Sequence, residues 1–157
     1  MKRRIILLVI AFAYSIGIQA KSNDASVDLG YKGNISVSLS PDCIFKSNLA
    51  GTILTSHGYN FENGLWLGGG LGVFLPIDEV PSLPFFSEIQ YSFLSSETVR
   101  PYVSCKIGFC LHEFAEDIYS YISPTIGLTI KNCSIFMSYN DMRLLKFASI
   151  GFAWNFW

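Results

Sequence analysis

The chain has 157 residues, half of them apolar and 15% aromatic, with 15% charged and a formal net charge of −1. That length suits one domain, and the charge balance offers no basic surface for nucleic acid. So many apolar residues with so few charges fit poorly with a soluble protein and suit a membrane barrel, where alternation spreads the apolar residues along each strand.

Lys2, Arg3 and Arg4 precede an uncharged apolar run from Ile5 to Ile18, followed by Gln19 and Ala20. This is the pattern of a Sec-type secretory signal, too short to span a bilayer, with cleavage expected after Ala20. Residues 1–20 are therefore expected to be the signal peptide and 21–157 the barrel. The signal holds three of the eleven basic residues and none of the twelve acidic ones, which leaves a mature charge of −4. No cysteine follows the cleavage site to take a lipid anchor, and no later apolar run is long enough for a helical span.

From residue 27 the odd positions read Val27, Leu29, Tyr31, Gly33, Ile35, Val37, Leu39, while the even positions are Asp, Gly, Lys, Asn, Ser and Ser. One face is apolar and the other is not, the period of a half-buried strand. Strands are predicted at 27–39, 48–57, 65–74, 83–94, 100–111, 118–130, 133–140 and 146–157, close to the roughly 9–11 residues of a tilted membrane strand. The second keeps no single parity, since Leu49, Ile53 and Leu54 disagree. Pro124 cannot donate to a ladder and is expected to mark a bulge. Asn63-Gly64 and Lys131-Asn132 are tight-turn pairs. Eight is an even number, so both termini should face the periplasm. The turns fall at 58–64, 95–99 and 131–132, and the external loops at 40–47, 75–82, 112–117 and 141–145.

The last strand ends on Phe152, Trp154, Phe156 and Trp157, which read as an outer-membrane insertion signal. An exposed aromatic edge would otherwise be an aggregation template. The segment from Thr55 to Phe61, the run Leu65-Trp66-Leu67-Gly68-Gly69-Gly70-Leu71-Gly72-Val73 and this aromatic end together resemble the small outer-membrane β-barrel proteins common in Bacteroidetes. Those proteins are similar in outline to the eight-stranded OmpA/OmpX type. The resemblance implies a Gram-negative outer membrane and an all-β, eight-stranded antiparallel up-and-down transmembrane barrel. It implies contact with membrane lipid and lipopolysaccharide, and assembly by periplasmic chaperones and the β-barrel assembly machinery. Trp157 departs from the pattern by standing one residue past the outward-facing Phe156.

Few residues could carry chemistry. A hairpin centred near Glu97 sets Glu88 against Lys106, Gln90 against Ser104 and Ser92 against Tyr102 on one inward face. This polar ladder would fill a narrow lumen. His57 and His112 belong to opposite ends of a barrel about 25 Å tall, so they cannot share a site, and neither stands in a hydrolase motif. His112, Glu113, Glu116 and Asp117 cluster in an external loop, where oxygen ligands could hold a divalent cation but a solvated loop is the simpler reading. Asp78, Glu79 and Asp141 make the other external loops acidic. The glycine run lacks the Lys-Ser/Thr of a phosphate loop; its glycines are expected to relieve curvature and make room for Trp66 or Phe74.

Cys105 and Cys110 have opposite parity and cannot bond to each other; Cys105 points to lipid and Cys133 lies near a periplasmic turn, so Cys43 with Cys110 is the one open disulfide, and free buried thiols are the simpler reading. The expected role is therefore structural or one of surface contact, for a monomer with no catalytic residues, cofactor or metal. The alternatives are a small-ligand-binding barrel, either soluble and lipocalin-like or binding through its external loops, and a lipid-modifying barrel enzyme. A soluble barrel needs a charged exterior, which these faces of Gly, Ser, Thr and Asn do not supply.

Overall fold

The computed structural model describes residues 29–43, 49–61, 64–76, 80–93, 99–112, 117–142 and 145–156, at 41–43, 117 and 145 by their backbone alone. Eight strands follow in chain order: β1 (Gly30–Cys43), β2 (Ala50–Asn60), β3 (Leu65–Pro76), β4 (Leu83–Ser92), β5 (Val99–His112), β6 (Asp117–Ile130), β7 (Cys133–Met142) and β8 (Leu145–Phe156). Each pairs antiparallel with its neighbour in sequence, and β8 returns to pair with β1, so the sheet closes into a barrel.

The strands exist where alternation is cleanest, and the structure lengthens most of them. β1 is shifted toward the carboxyl end relative to 27–39, and β2 runs on to Asn60 because Tyr59 and Asn60 pair with Leu67 and Trp66. Pairing rescues β2 despite its mixed pattern: Leu49 and Ile53 face out, while Leu54 is buried inside. Pro124 marks no bulge. It pairs with Cys105, the β5–β6 register runs unbroken from Val99 to His112, and the β6–β7 pairing lapses at Pro124 without shifting. The bulge lies between Leu39 and Asp42, where β1 meets β8.

Tight turns sit at one end. Phe61 accepts from the Gly64 amide at 3.1 Å, and Gly64 has a φ of 80°, which suits a residue without a Cβ. Lys131 takes a φ of 54° between Ile130 and Cys133. Asn63, Glu97 and Trp157, named above, lie outside the described residues.

The face question has a clear answer. Ile126 is 60% exposed while Thr125 beside it is 4%. Ile35, Val37, Leu39, Ile135, Ile150 and Phe152 likewise point out, so the apolar face is the exterior. This removes the lipocalin-like arrangement, which needs that face inside. Among the described side chains, the charged ones with outward parity in the strands are Asp141 and Lys146, 3.2 Å apart beside the β7–β8 loop.

Glycines inside the wall accommodate large neighbours. A Cβ on Gly127 would stand 2.6 Å from the Tyr102 ring, its cross-strand partner, whereas one on outward Gly51 would meet nothing within 4 Å. Gly127→Ala is therefore expected to lower unfolding stability by about 1–3 kcal/mol through overpacking. Gly51→Ala should stay within about 0.5 kcal/mol, both measured as urea midpoints of the refolded barrel.

Candidate functional site

The interior divides into two halves. Toward the turn end it is polar, and its centre is Glu88 on β4. The β4–β5 register places Lys106 opposite Glu88, Ser104 opposite Gln90 and Tyr102 opposite Ser92. Lys106 Nζ lies 3.1 Å from Glu88 Oε1. Ser104 Oγ donates to the same oxygen at 2.9 Å, and Ser56 Oγ on β2 donates to Oε2 at 3.0 Å. The Ser56 bond has to cross β3, and it can because β3 shows the lumen Gly68 and Gly70 there, the partners of Glu88 and Ser56. The glycine run thus leaves space for a carboxylate as well as for Trp66, whose ring folds over Gly68.

Glu88 and Lys106 are 5% and 8% exposed, so both charges are held almost without water. Desolvation of this kind is tolerable only when charge and lone pairs are satisfied. Three donors on Glu88 meet that demand, and the Phe86 ring, 5.9 Å from the ammonium, adds a cation–π contact. A cavity of about 20 Å³ adjoins the pair, lined in part by Asn34, Gln90, Tyr102, Thr125 and Asn155. It is large enough for water and too small for an organic ligand.

Toward the loop end the lumen is aromatic. Phe74 stacks on Phe147 with ring centroids 4.8 Å apart, and Phe86 meets Tyr121 edge-on at 5.9 Å. Leu54, Ala50, Cys110 and Met142 complete this layer. The layer was not legible as a site: its members look like ordinary apolar strand residues, and only their parity relative to Glu88 marks them as inward. Between the halves, Asn140 donates to Ser149 at 2.9 Å and accepts from the Tyr121 hydroxyl at 3.2 Å.

The two histidines lie on different faces. His57 is on the exterior near the turn end, stacked on Tyr31 and hydrogen-bonded to its hydroxyl, with Thr55 Oγ1 3.0 Å from Nε2 and the Phe156 ring edge-on at 5.9 Å. His112 faces the lumen at the loop end, with Nδ1 2.7 Å from Ser82 Oγ. Its cross-strand partner is Asp117, and among the described side chains no carboxylate orients the His112 ring. Glu113, Glu116, Asp78 and Glu79 lie outside the described residues, as does the Asp117 side chain. Among the described residues no three His, Cys, Asp or Glu side chains converge as metal ligands.

Of the terminal aromatics, Phe152 and Trp154 face out, and Phe156 lies over Gly33 on β1. Cys110 is a buried free thiol and Cys105 and Cys133 are also free. The Cys43 side chain lies outside the described ones.

A closed, eight-stranded antiparallel barrel with an apolar exterior and a filled interior is the architecture of small outer-membrane barrels, and solved structures agree. The N-terminal β-barrel domain of Pseudomonas aeruginosa OprF aligns over 84% of this chain and 100% of its own, at 14% identity and a TM-score of 0.62. Neisserial surface protein A (NspA) aligns over 85% of this chain and 100% of its own, at 11% identity and a TM-score of 0.60. A de novo designed transmembrane β-barrel aligns over 85% of this chain at a TM-score of 0.51. At these identities the likeness is one of fold. No protein-family description and no curated protein matches the sequence.

The buried pair can be tested by removing one partner. Glu88→Ala leaves Lys106 uncompensated in the lumen and is expected to cost about 3–5 kcal/mol. The double replacement Glu88→Gln with Lys106→Met should recover part of that loss. Urea unfolding of the detergent-refolded barrel reads both.

Proposed function

We propose that the protein is an integral outer-membrane β-barrel whose lumen is closed and whose role is structural or one of surface contact. The observation that carries this reading is the exterior. Isoleucine, leucine, valine and aromatic side chains cover every strand, and the charged pair Asp141–Lys146 stands at the loop rim. In water such a surface is an unbroken apolar patch far larger than monomers expose. In a bilayer it is the surface required, and closure leaves no sheet edge facing the lipid.

Exterior aromatics at the turn end support the same placement. Tyr59 meets Phe61, and Tyr91 meets Phe93, with centroids 5.2 Å apart in each pair, the makings of an interfacial girdle. The fold-level likeness to the OprF barrel domain and NspA is consistent with an outer-membrane location. In this reading residues 1–20 direct export, both termini are periplasmic, and the monomer is assembled by chaperones and the barrel assembly machinery into lipid and lipopolysaccharide.

Two measurements test the location. On SDS gels the refolded barrel should migrate differently with and without boiling, and fractionated cells should hold it in the outer membrane; soluble periplasmic protein without a heat shift overturns the reading. Ile126→Arg, near the middle of β6, should cost about 2–4 kcal/mol in a bilayer, while inward Thr129→Ser, which keeps the hydroxyl near Ser134, should be mild. A neutral Ile126→Arg would mean that the exterior faces water.

A further inference from the structure

The two halves of the lumen differ in how water reaches them. At the turn end the inward residues Asn34, Gln90, Ser92, Arg100, Thr129 and Asn155 keep partial exposure beside buried Trp66, Tyr102 and Ser134. At the loop end His112 and Tyr119 are half-buried at the rim, and the next layer inward is closed, with Phe74, Tyr121 and Phe147 at 0%, Ser40 at 0%, and Ala50 and Cys110 at 1%. The cavity beside Glu88 and Lys106 belongs to the first half.

Unsatisfied hydroxyls follow the same division. Thr125 Oγ1 is buried without a protein partner, and it lines the cavity, where water can meet it. Ser40 Oγ and Thr52 Oγ1 are also without partners, but they sit at the loop end. Thr52 is the cross-strand partner of Phe74, and Ser40 the partner of Ala50, both members of the buried apolar layer. Both stand beside apolar side chains, and neither lines the cavity.

The geometry points to a blind, one-ended vestibule. Water enters the lumen from the turn end and advances to the Glu88–Lys106 pair, and the layer of Phe74, Phe86, Tyr121 and Phe147 is the permeability barrier. The ion pair is then the floor of a wet compartment and not the gate of a channel. An aromatic layer suits the barrier because the stacked Phe74 and Phe147 rings offer nothing to hydrate an ion, which would shed its water there without a compensating partner.

This inference rests on the barrel spanning a bilayer, and its test separates the two. The full mature chain, refolded into planar bilayers, should show no steady conductance. Phe74→Ala with Phe147→Ala should raise the leak at least tenfold, while Tyr102→Ala with Phe136→Ala, which widens only the wet half, should leave it at the parent level. In the unopened barrel, sulfonatoethyl methanethiosulfonate should modify an Asn34→Cys variant at least tenfold faster than the native Cys110, resolved by peptide mass mapping.

The thiol comparison stands even if the double phenylalanine variant fails to fold. Steady conductance in the parent, an equal leak from the Tyr102–Phe136 variant, a Cys110 that reacts as fast as position 34, or an unreactive position 34 would each overturn the vestibule. A chain that neither inserts nor shifts on heating would overturn the membrane reading instead. A heat-shifting barrel that conducts would overturn this inference and the closed lumen, and would leave the membrane location standing.

Discussion

The pairing of β8 with β1 is the constraint on which the rest of this structure depends. It removes both sheet edges, so every strand has two neighbours and the ladder leaves no row of unpaired amides. The pairing runs from Gly33–Phe156 to Cys43–Phe147 with a bulge between Leu39 and Asp42. At its turn end Phe156 lies over a glycine on β1 and against His57 of β2, so one ring touches three strands at the seam. Tyr31 and Thr55 occupy both nitrogens of that histidine, which makes it part of the wall.

Closure with eight strands also fixes the bore. An eight-stranded barrel is just wide enough for side chains to fill, so each inward residue must be complementary to residues two or more strands away. Glycine supplies much of that complementarity. Gly68 and Gly70 admit the Ser56–Glu88 bond across β3, and Gly127 admits the Tyr102 ring. A buried ion pair is weak evidence for stability. Here it has a second consequence, because it marks a polar compartment bounded by a largely apolar, aromatic-rich one.

The exterior follows from the opposite demand. Outward residues touch no other part of the chain's interior, so nothing about packing selects them. Their uniform apolarity, interrupted among the described strand residues by His57, a few small or hydroxyl side chains and the Asp141–Lys146 pair, reflects the solvent. Lipid is the solvent that rewards it.

Much of this was legible in the sequence because strand alternation is a local, period-two property. The alternation read from Val27 to Leu39, together with the turn pairs that divide the rest, was enough to give strand number, and the hairpin centred near Glu97 gave the Glu88–Lys106 register. Sparse charge was enough to choose the outward face. Local reading failed where the answer is not local. Pro124 passes without a bulge because its missing amide falls where the β6–β7 pairing lapses, and β2 holds its register through both neighbours despite a mixed pattern. The Ser56 bond to Glu88 and the stack of Phe74 on Phe147 join strands that are not consecutive. Such contacts exist only once the sheet has closed at one particular stagger. The sequence by itself determined which residues line a lumen; only the tertiary structure decided which of them meet, and that the loop-end half closes on stacked rings.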